Sequence, residues 1–323
     1  MRTCYLHLGM PKTGSTSIQT AFAGYRDRGL VYPRFRTPHH GGTLRARFSD
    51  SPANMPKHRV DALGTEEVQK RARAETAAFD RAMKTDKNVV LSCEWIVESL
   101  SAGEVAEMFA FFKESFDRLV VIAYVRPLAS LVDSQFQQRV RMGKRSFSVP
   151  PPPYRGFFAP ILANVAREDL QLVRFDRADL AGGDVVVDFA RRVGAGEVPK
   201  LESEVNESLS AEAVGAIFAF NKYGGYLLPP RERARSLLMM RKTLKDVGEI
   251  KFGLGQELIE AHLATHADEV AWMEDQAGFD VKGVIKPAPD PIRSEADLLR
   301  MAERYATRRA RRMRSRINAG AAL

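Results

Sequence analysis

Met10-Pro11-Lys12-Thr13-Gly14-Ser15-Thr16-Ser17-Ile18-Gln19 is the stretch on which the reading of this chain turns. Before it runs Cys4-Tyr5-Leu6-His7-Leu8, short and largely apolar, which reads as a buried first strand. After it, Ile18, Phe22 and Tyr25 recur at helical spacing. The stretch is therefore a strand–loop–helix unit with glycine in the loop. The first amides of such a helix have no intrahelical acceptor, and the helix dipole points its positive end at the loop. Both favour a phosphate or a similar anion.

Gly9 to Gly14 has the G-x-x-x-x-G spacing of a Walker loop, and Thr16 fills the Ser/Thr position. The lysine position holds Ser15 instead. The nearby lysine, Lys12, sits inside the loop, two residues before Gly14, and is placed to touch a phosphate from the loop side. That does not match the mononucleotide kinase arrangement.

Further along, Thr65-Glu66-Glu67 opens an amphipathic helix with an N-cap over 65–86. Asn88-Val89-Val90-Leu91-Ser92 follows as a buried strand, ending in Cys93-Glu94-Trp95. This sets the Glu94 carboxylate at the carboxyl edge of a sheet, where open α/β folds bind ligands; the plainer reading is a charge at a helix start. Cys93 and Trp95 are expected to supply apolar surroundings that raise its pKa. A helix over 103–116 leads to Arg118–Val125, the clearest strand, whose near-continuous apolar run suits a central parallel position. It stops at Arg126-Pro127, where a helix begins; Ser130 and Ser134 share one face of it. An arginine ending a strand and a hydroxyl eight residues on suit a phosphate, the guanidinium forking onto its oxygens. Further elements are a strand over 170–175, a helix over 185–193, a helix capped by Ser210, a helix from Glu257 through Glu274 and a last helix over 294–317.

Pro-Lys-Thr-Gly-Ser-Thr-Ser after a first strand resembles the 5′-phosphosulfate loop of the sulfotransferases, which use 3′-phosphoadenosine 5′-phosphosulfate (PAPS). The longer string from Leu6 to Gln19 is most similar to the bacterial and carbohydrate-directed branch. Arg126 with Ser134 resembles the 3′-phosphate site of the same family. The resemblance covers residues 4–210. It implies a three-layer P-loop-like α/β fold with a central parallel sheet and helices on both faces. It also implies transfer of a sulfuryl group to a hydroxyl or amine, carbohydrate or glycolipid being favoured, and release of 3′-phosphoadenosine 5′-phosphate (PAP). The amides of residues 13–17 and the hydroxyls of Ser15, Thr16 and Ser17 are expected around the 5′-phosphate. Lys12 is expected at the bridging oxygen and Glu94 as the base for the acceptor proton, with no metal required. His39-His40, after a Tyr-Pro, resembles a histidine pair of bacterial relatives; an acceptor-site element and a solvated turn both remain open for it.

The 323 residues suit one large domain with insertions, and 45% hydrophobic composition is enough for a sizeable core. The expected division is a domain over 1–290, with 34–64, 143–158 and 222–258 as loop or lid insertions, and a basic helix over 291–323. A net charge of +9 favours anionic ligands without requiring nucleic acid, which is not expected as a partner. The arginines crowded into the last twenty residues raise two readings: peripheral contact with anionic lipid at the inner membrane face, and a solvated tail. Two cysteines, Cys4 and Cys93, form no disulfide framework, and no signal-peptide segment or membrane-length apolar run is present; the expectation is a cytoplasmic protein. Two rivals stay open: a P-loop kinase or NTPase using ATP and Mg²⁺, and a non-enzymatic polyanion-binding protein.

Overall fold

The computed structural model describes residues 1–51, 64–198, 209–245 and 247–320, with side chains described as far as residue 311. The later part of the 34–64 stretch and Asn206-Glu207-Ser208 therefore lie outside the described residues. The chain forms two compact units built from interleaved stretches. One comprises residues 1–127, 153–205 and 271–281; the other comprises 128–152, 206–270 and 282–323. This division differs from the 1–290 and 291–323 expected from sequence.

The first unit holds a five-stranded sheet: β1 (Thr3–Gly9), β2 (Leu30–Val31), β3 (Asn88–Glu94), β4 (Arg118–Val125) and β5 (Leu170–Arg174). Its order is β2-β3-β1-β4-β5, and every neighbouring pair is parallel. Parallel strands must be joined by crossovers, and right-handed crossovers fix where the helices go. From β1 the chain moves outward to β2 and β3 through α1 (Ser15–Ala21), then α2 (Gly41–Phe48) and α3 (Thr65–Ala82). From β3 it turns back, by way of the short α4 (Ile96–Ser99) and α5 (Ala102–Ser115), over β1 to β4. The reversal of direction sends α5 to the opposite face from α1. The chain thus leaves β1 and β4 towards different faces, which opens a crevice at their carboxyl ends.

The two faces are filled as the strand period requires. Val90, Val120, Ile122 and Tyr124 meet Ile18 and Phe22 of α1 and Phe189 of α8 (Val185–Val193) in one buried cluster. α5 presents Val105, Met108, Phe109 and Phe112, all buried, and its start is fixed by a capping box between Ser101 and Glu104. β4 is buried from Leu119 to Val125, as a strand covered on both faces must be. Four local readings are corrected. Gly41–Phe48, inside the expected 34–64 loop, is helical because Leu44 and Phe48 are buried, Phe48 against Phe79, Phe111 and Phe112. The expected 143–158 loop ends early, since α7 (Tyr154–Leu162) starts at Tyr154. α3 begins after Gly64 with no side-chain cap, so Thr65 is helical rather than the cap. The single helix expected from Glu257 to Glu274 is broken at His266 into α11 (Gln256–Thr265) and α12 (Ala267–Ala277).

The second unit is helical. α6 (Leu128–Arg141), α9 (Ala211–Tyr223), α10 (Pro230–Thr243), α11 and α13 (Glu295–Gly320) belong to it. Ser210 caps α9 by accepting from the Ala213 amide, as expected. Gly215 lets α9 and α13 touch: a Cβ there would lie 2.6 Å from the Leu298 carbonyl oxygen. Leu298 and Met301 are fully buried, so this half of the last helix is core.

Candidate active site at the carboxyl edge of the sheet

β3, β1 and β4 lie side by side, and each delivers a residue of interest to one edge. Glu94 closes β3, opposite Gly9 at the end of β1, and Arg126 follows Val125 of β4. The loop after Gly9 is shaped from within. The Thr13 hydroxyl donates to the Met10 carbonyl at 2.7 Å, and Lys12 takes the left-handed region at φ 67. Gly14, at φ 74, starts α1 with no side-chain cap. The amides of Ser17 and Ile18 return to the Gly14 carbonyl; those of Ser15 and Thr16 have no acceptor among the described residues. Gly14 has no room for a side chain: a Cβ would sit 2.8 Å from Val185 Cγ1 and 3.6 Å from Phe175.

The three strand ends are joined by contact. Arg126 Nη1 donates to the Lys12 carbonyl at 2.7 Å, tying the end of β4 to the crest of the loop. The Arg126 carbonyl accepts from the Tyr154 hydroxyl at 2.8 Å, and its guanidinium lies 5.8 Å from the Phe175 ring centre. Gly9 is the floor on which two side chains converge. A Cβ on it would lie 2.1 Å from Ser15 Oγ and 2.9 Å from Glu94 Cγ. Ser15 Oγ is buried beside Glu94 without a well-formed hydrogen bond.

Burial pushes the Glu94 carboxyl above its ordinary range, and the Ser15 hydroxyl and Lys12 ammonium offset only part of this. The neighbours in sequence are placed differently from one another. Cys93 alternates to the other face of β3, and Trp95 is 41% exposed. Trp95 is itself left-handed at φ 62; among the described residues, Lys12 and Trp95 are the two non-glycine residues with positive φ, and both border this edge. Such backbone costs free energy and persists only where surrounding structure enforces it.

The remaining expected residues separate. Thr16 is exposed and Ser17 half-buried, whereas Thr13 is buried with its hydroxyl committed to Met10. The Ser15 hydroxyl is buried beside Glu94, apart from the exposed Thr16. The histidine pair divides. His39 meets Glu94 from behind, its Nε2 being 3.2 Å from the Glu94 amide and its Nδ1 3.0 Å from the Gly41 amide. His40 is fully buried between Tyr32 and Phe35, at ring distances of 4.2 and 4.9 Å. It packs as a core residue. Ser134 is half-buried on α6 of the helical unit, one turn beyond Ser130.

A buried polar chain under the site was missed in the sequence. His7 Nδ1 lies 2.8 Å from Ser92 Oγ, and Gln19 Nε2 donates to the same oxygen at 3.3 Å. Burial pushes the His7 and His40 imidazoles down to about 3, so both are neutral. The available signal was polar residues at alternate positions in otherwise apolar strands.

No family model matches the chain, and no curated protein matches it. Three solved structures similar to it are a sulfotransferase and two sulfotransferase domains. One, a sulfotransferase from Alicyclobacillus acidocaldarius, is 15% identical, covering 74% of this chain and 96% of that one at a TM-score of 0.41. The sulfotransferase domain from the curacin biosynthetic pathway is 14% identical over 83% of this chain and 98% of that one, at a TM-score of 0.37. The corresponding domain of a Synechococcus olefin synthase is 14% identical over 94% of each, at 0.34.

Proposed function

We propose that this chain transfers a sulfuryl group from PAPS to a hydroxyl or amine, with a saccharide or lipid acceptor. The observation that carries the proposal is the meeting of Lys12, Glu94 and Arg126 at the ends of three adjacent parallel strands. The residues fit such a donor. Free loop amides, the exposed Thr16 hydroxyl and the Ser17 hydroxyl suit the 5′-phosphate. Gly9 keeps the floor of the site open. Arg126, with Ser134, is assigned the 3′-phosphate, as a forked cation and a hydroxyl donor.

Bound PAPS supplies an activated sulfuryl group. The chain's own residues do the rest. Lys12 holds a positive charge where negative charge grows on the departing phosphate. Glu94, its carboxyl raised by burial, accepts the proton of the acceptor hydroxyl as that hydroxyl becomes acidic. His39 holds the Glu94 backbone and is assigned positioning rather than proton transfer.

Transfer from labelled PAPS to a panel of saccharides, lipids and phenols tests this reading, run with wild type and Glu94→Gln. The wild type is expected to label an acceptor. Glu94→Gln is expected to bind PAP normally and lose on the order of 10²–10⁴ in turnover. Full activity in that variant would remove Glu94 as the base, and ATP-dependent phosphoryl transfer by the wild type would replace the proposal with the kinase reading.

A further inference from the structure

Several exposed large apolar side chains belong to the helical unit: Met142, Tyr223, Tyr226, Leu227, Leu238 and Met239. They lie on neighbouring elements. A Cβ on Gly143, just past α6, would lie 3.6 Å from Leu237 of α10, and the Arg145 guanidinium stacks on Tyr226 at 4.3 Å. α10 turns its buried Leu237 inward. Its outward side carries Leu238, Arg231, Lys242, Arg235 and Met239 in that angular order, spanning about 100° of the helix. All five are exposed.

Among the described residues, Arg231, Arg235, Arg241 and Lys242 have no carboxylate partner. Arg141, at the end of α6, has a buried Nε without a hydrogen-bond partner and lies within the field of the like-charged Arg241. The last helix is the opposite case. Arg300 pairs with Asp290 and Asp297, Arg304 with Asp290, and Arg308 with Glu212 and Glu249. Of the arginines that sequence marked for an anionic surface, Arg304 and Arg308 are thus held by the chain's own carboxylates.

We propose that the α10 face, with Tyr226 and Leu227, docks on an anionic phospholipid surface. Only a bilayer offers both halves of the complement: phosphates for the unpaired cations, and an apolar layer for side chains that otherwise stand in water. Tyrosine suits the boundary, with an apolar ring and a polar tip. A soluble polyanion would match the charge and leave Leu238 and Met239 exposed. No helix among the described residues is long and apolar enough to cross a membrane, and α10 lies along the surface in this arrangement.

The test is co-sedimentation of the full chain with phosphatidylcholine vesicles, with and without phosphatidylglycerol, alongside heparin binding. Two variants are compared, Leu238→Ser/Met239→Ser and Arg231→Gln/Arg235→Gln/Lys242→Gln. Every changed residue is exposed, and an unchanged melting temperature verifies the fold. Wild type should bind the anionic vesicles and not the neutral ones. Each variant should weaken that binding at least about tenfold, while Arg300→Gln/Arg304→Gln should not. Unchanged binding in the two α10 variants overturns the proposal. So does tight heparin binding without vesicle binding, which makes the ligand a soluble polyanion. So does a dimer that Leu238→Ser/Met239→Ser dissociates, which makes the occupant a second copy.

Discussion

Lys12 meets two demands at once. Its backbone is left-handed at φ 67 and its carbonyl accepts from Arg126, while its ammonium acts on the Glu94 carboxyl. Lys12→Gly separates them, because glycine adopts the same backbone without strain. An L-residue there costs roughly 1–2 kcal/mol, part of which glycine returns as chain entropy in the unfolded state. The variant should therefore melt no lower than wild type and yet turn over far more slowly. A lower melting temperature with intact turnover would make Lys12 structural. His7 and His40 carry a second prediction. Their folded pKa, about 3, lies below the ordinary 6.5 because burial opposes the charge. The unfolded chain binds protons more readily below that value. The stability they allow is therefore full above about 6.5 and is lost as pH falls towards 3. At pH 5 each histidine accounts for about 2 kcal/mol of loss. Denaturant midpoints at pH 7.5 and 5, for wild type and His40→Gln, measure it. The variant should lose less between the two pH values; an equal loss would place the acid sensitivity elsewhere.

At the scale of the element, contact between helices rests on small residues that periodicity does not announce. Gly215 is such a residue, with the Leu298 carbonyl 2.6 Å and the Ala302 amide 2.8 Å from where a Cβ would stand. Backbone cannot step aside as a side chain can. Gly215→Ala should cost about 1–3 kcal/mol in a denaturant titration despite its better helix propensity. A gain in stability would mean that α9 and α13 are not in contact as described. Elements whose signals were local were legible: β4 and α8 match their expected bounds, since an unbroken apolar run and the Asp184 and Gly194 caps fix them. α2 was not legible, because Gly41-Gly42 reads as a turn and only the burial of Leu44 and Phe48 makes the segment helical. The same gap hid the site's interior. The loop, Glu94 and Arg126 follow from strand ends. That Ser15 faces Glu94, that His39 and His40 part company, and that His7 joins Ser92 depend on register between distant strands.

For the whole molecule, a net charge of +9 does not say where charge is used. Arg300, Arg304 and Arg308 are paired with carboxylates, Arg231 and Arg235 of α10 have no carboxylate partner among the described residues, and Arg126 is tied to the loop after β1. The central claim is that the sheet edge reads a nucleotide with a 3′-phosphate. Arg126→Ala alone is a blunt probe of it, since the substitution also releases the Lys12 carbonyl and should weaken every nucleotide. Calorimetric titration of the wild-type chain with PAP, ADP and ATP with Mg²⁺ compares a 3′-phosphate with a second 5′-phosphate on the same adenosine. A charged hydrogen bond contributes roughly 1.5–3 kcal/mol. PAP should therefore bind roughly 10- to 150-fold more tightly than ADP, and Ser134→Ala should narrow that gap without changing ADP affinity. ADP binding as tight as PAP, or ATP with Mg²⁺ binding tighter than either, would contradict the account.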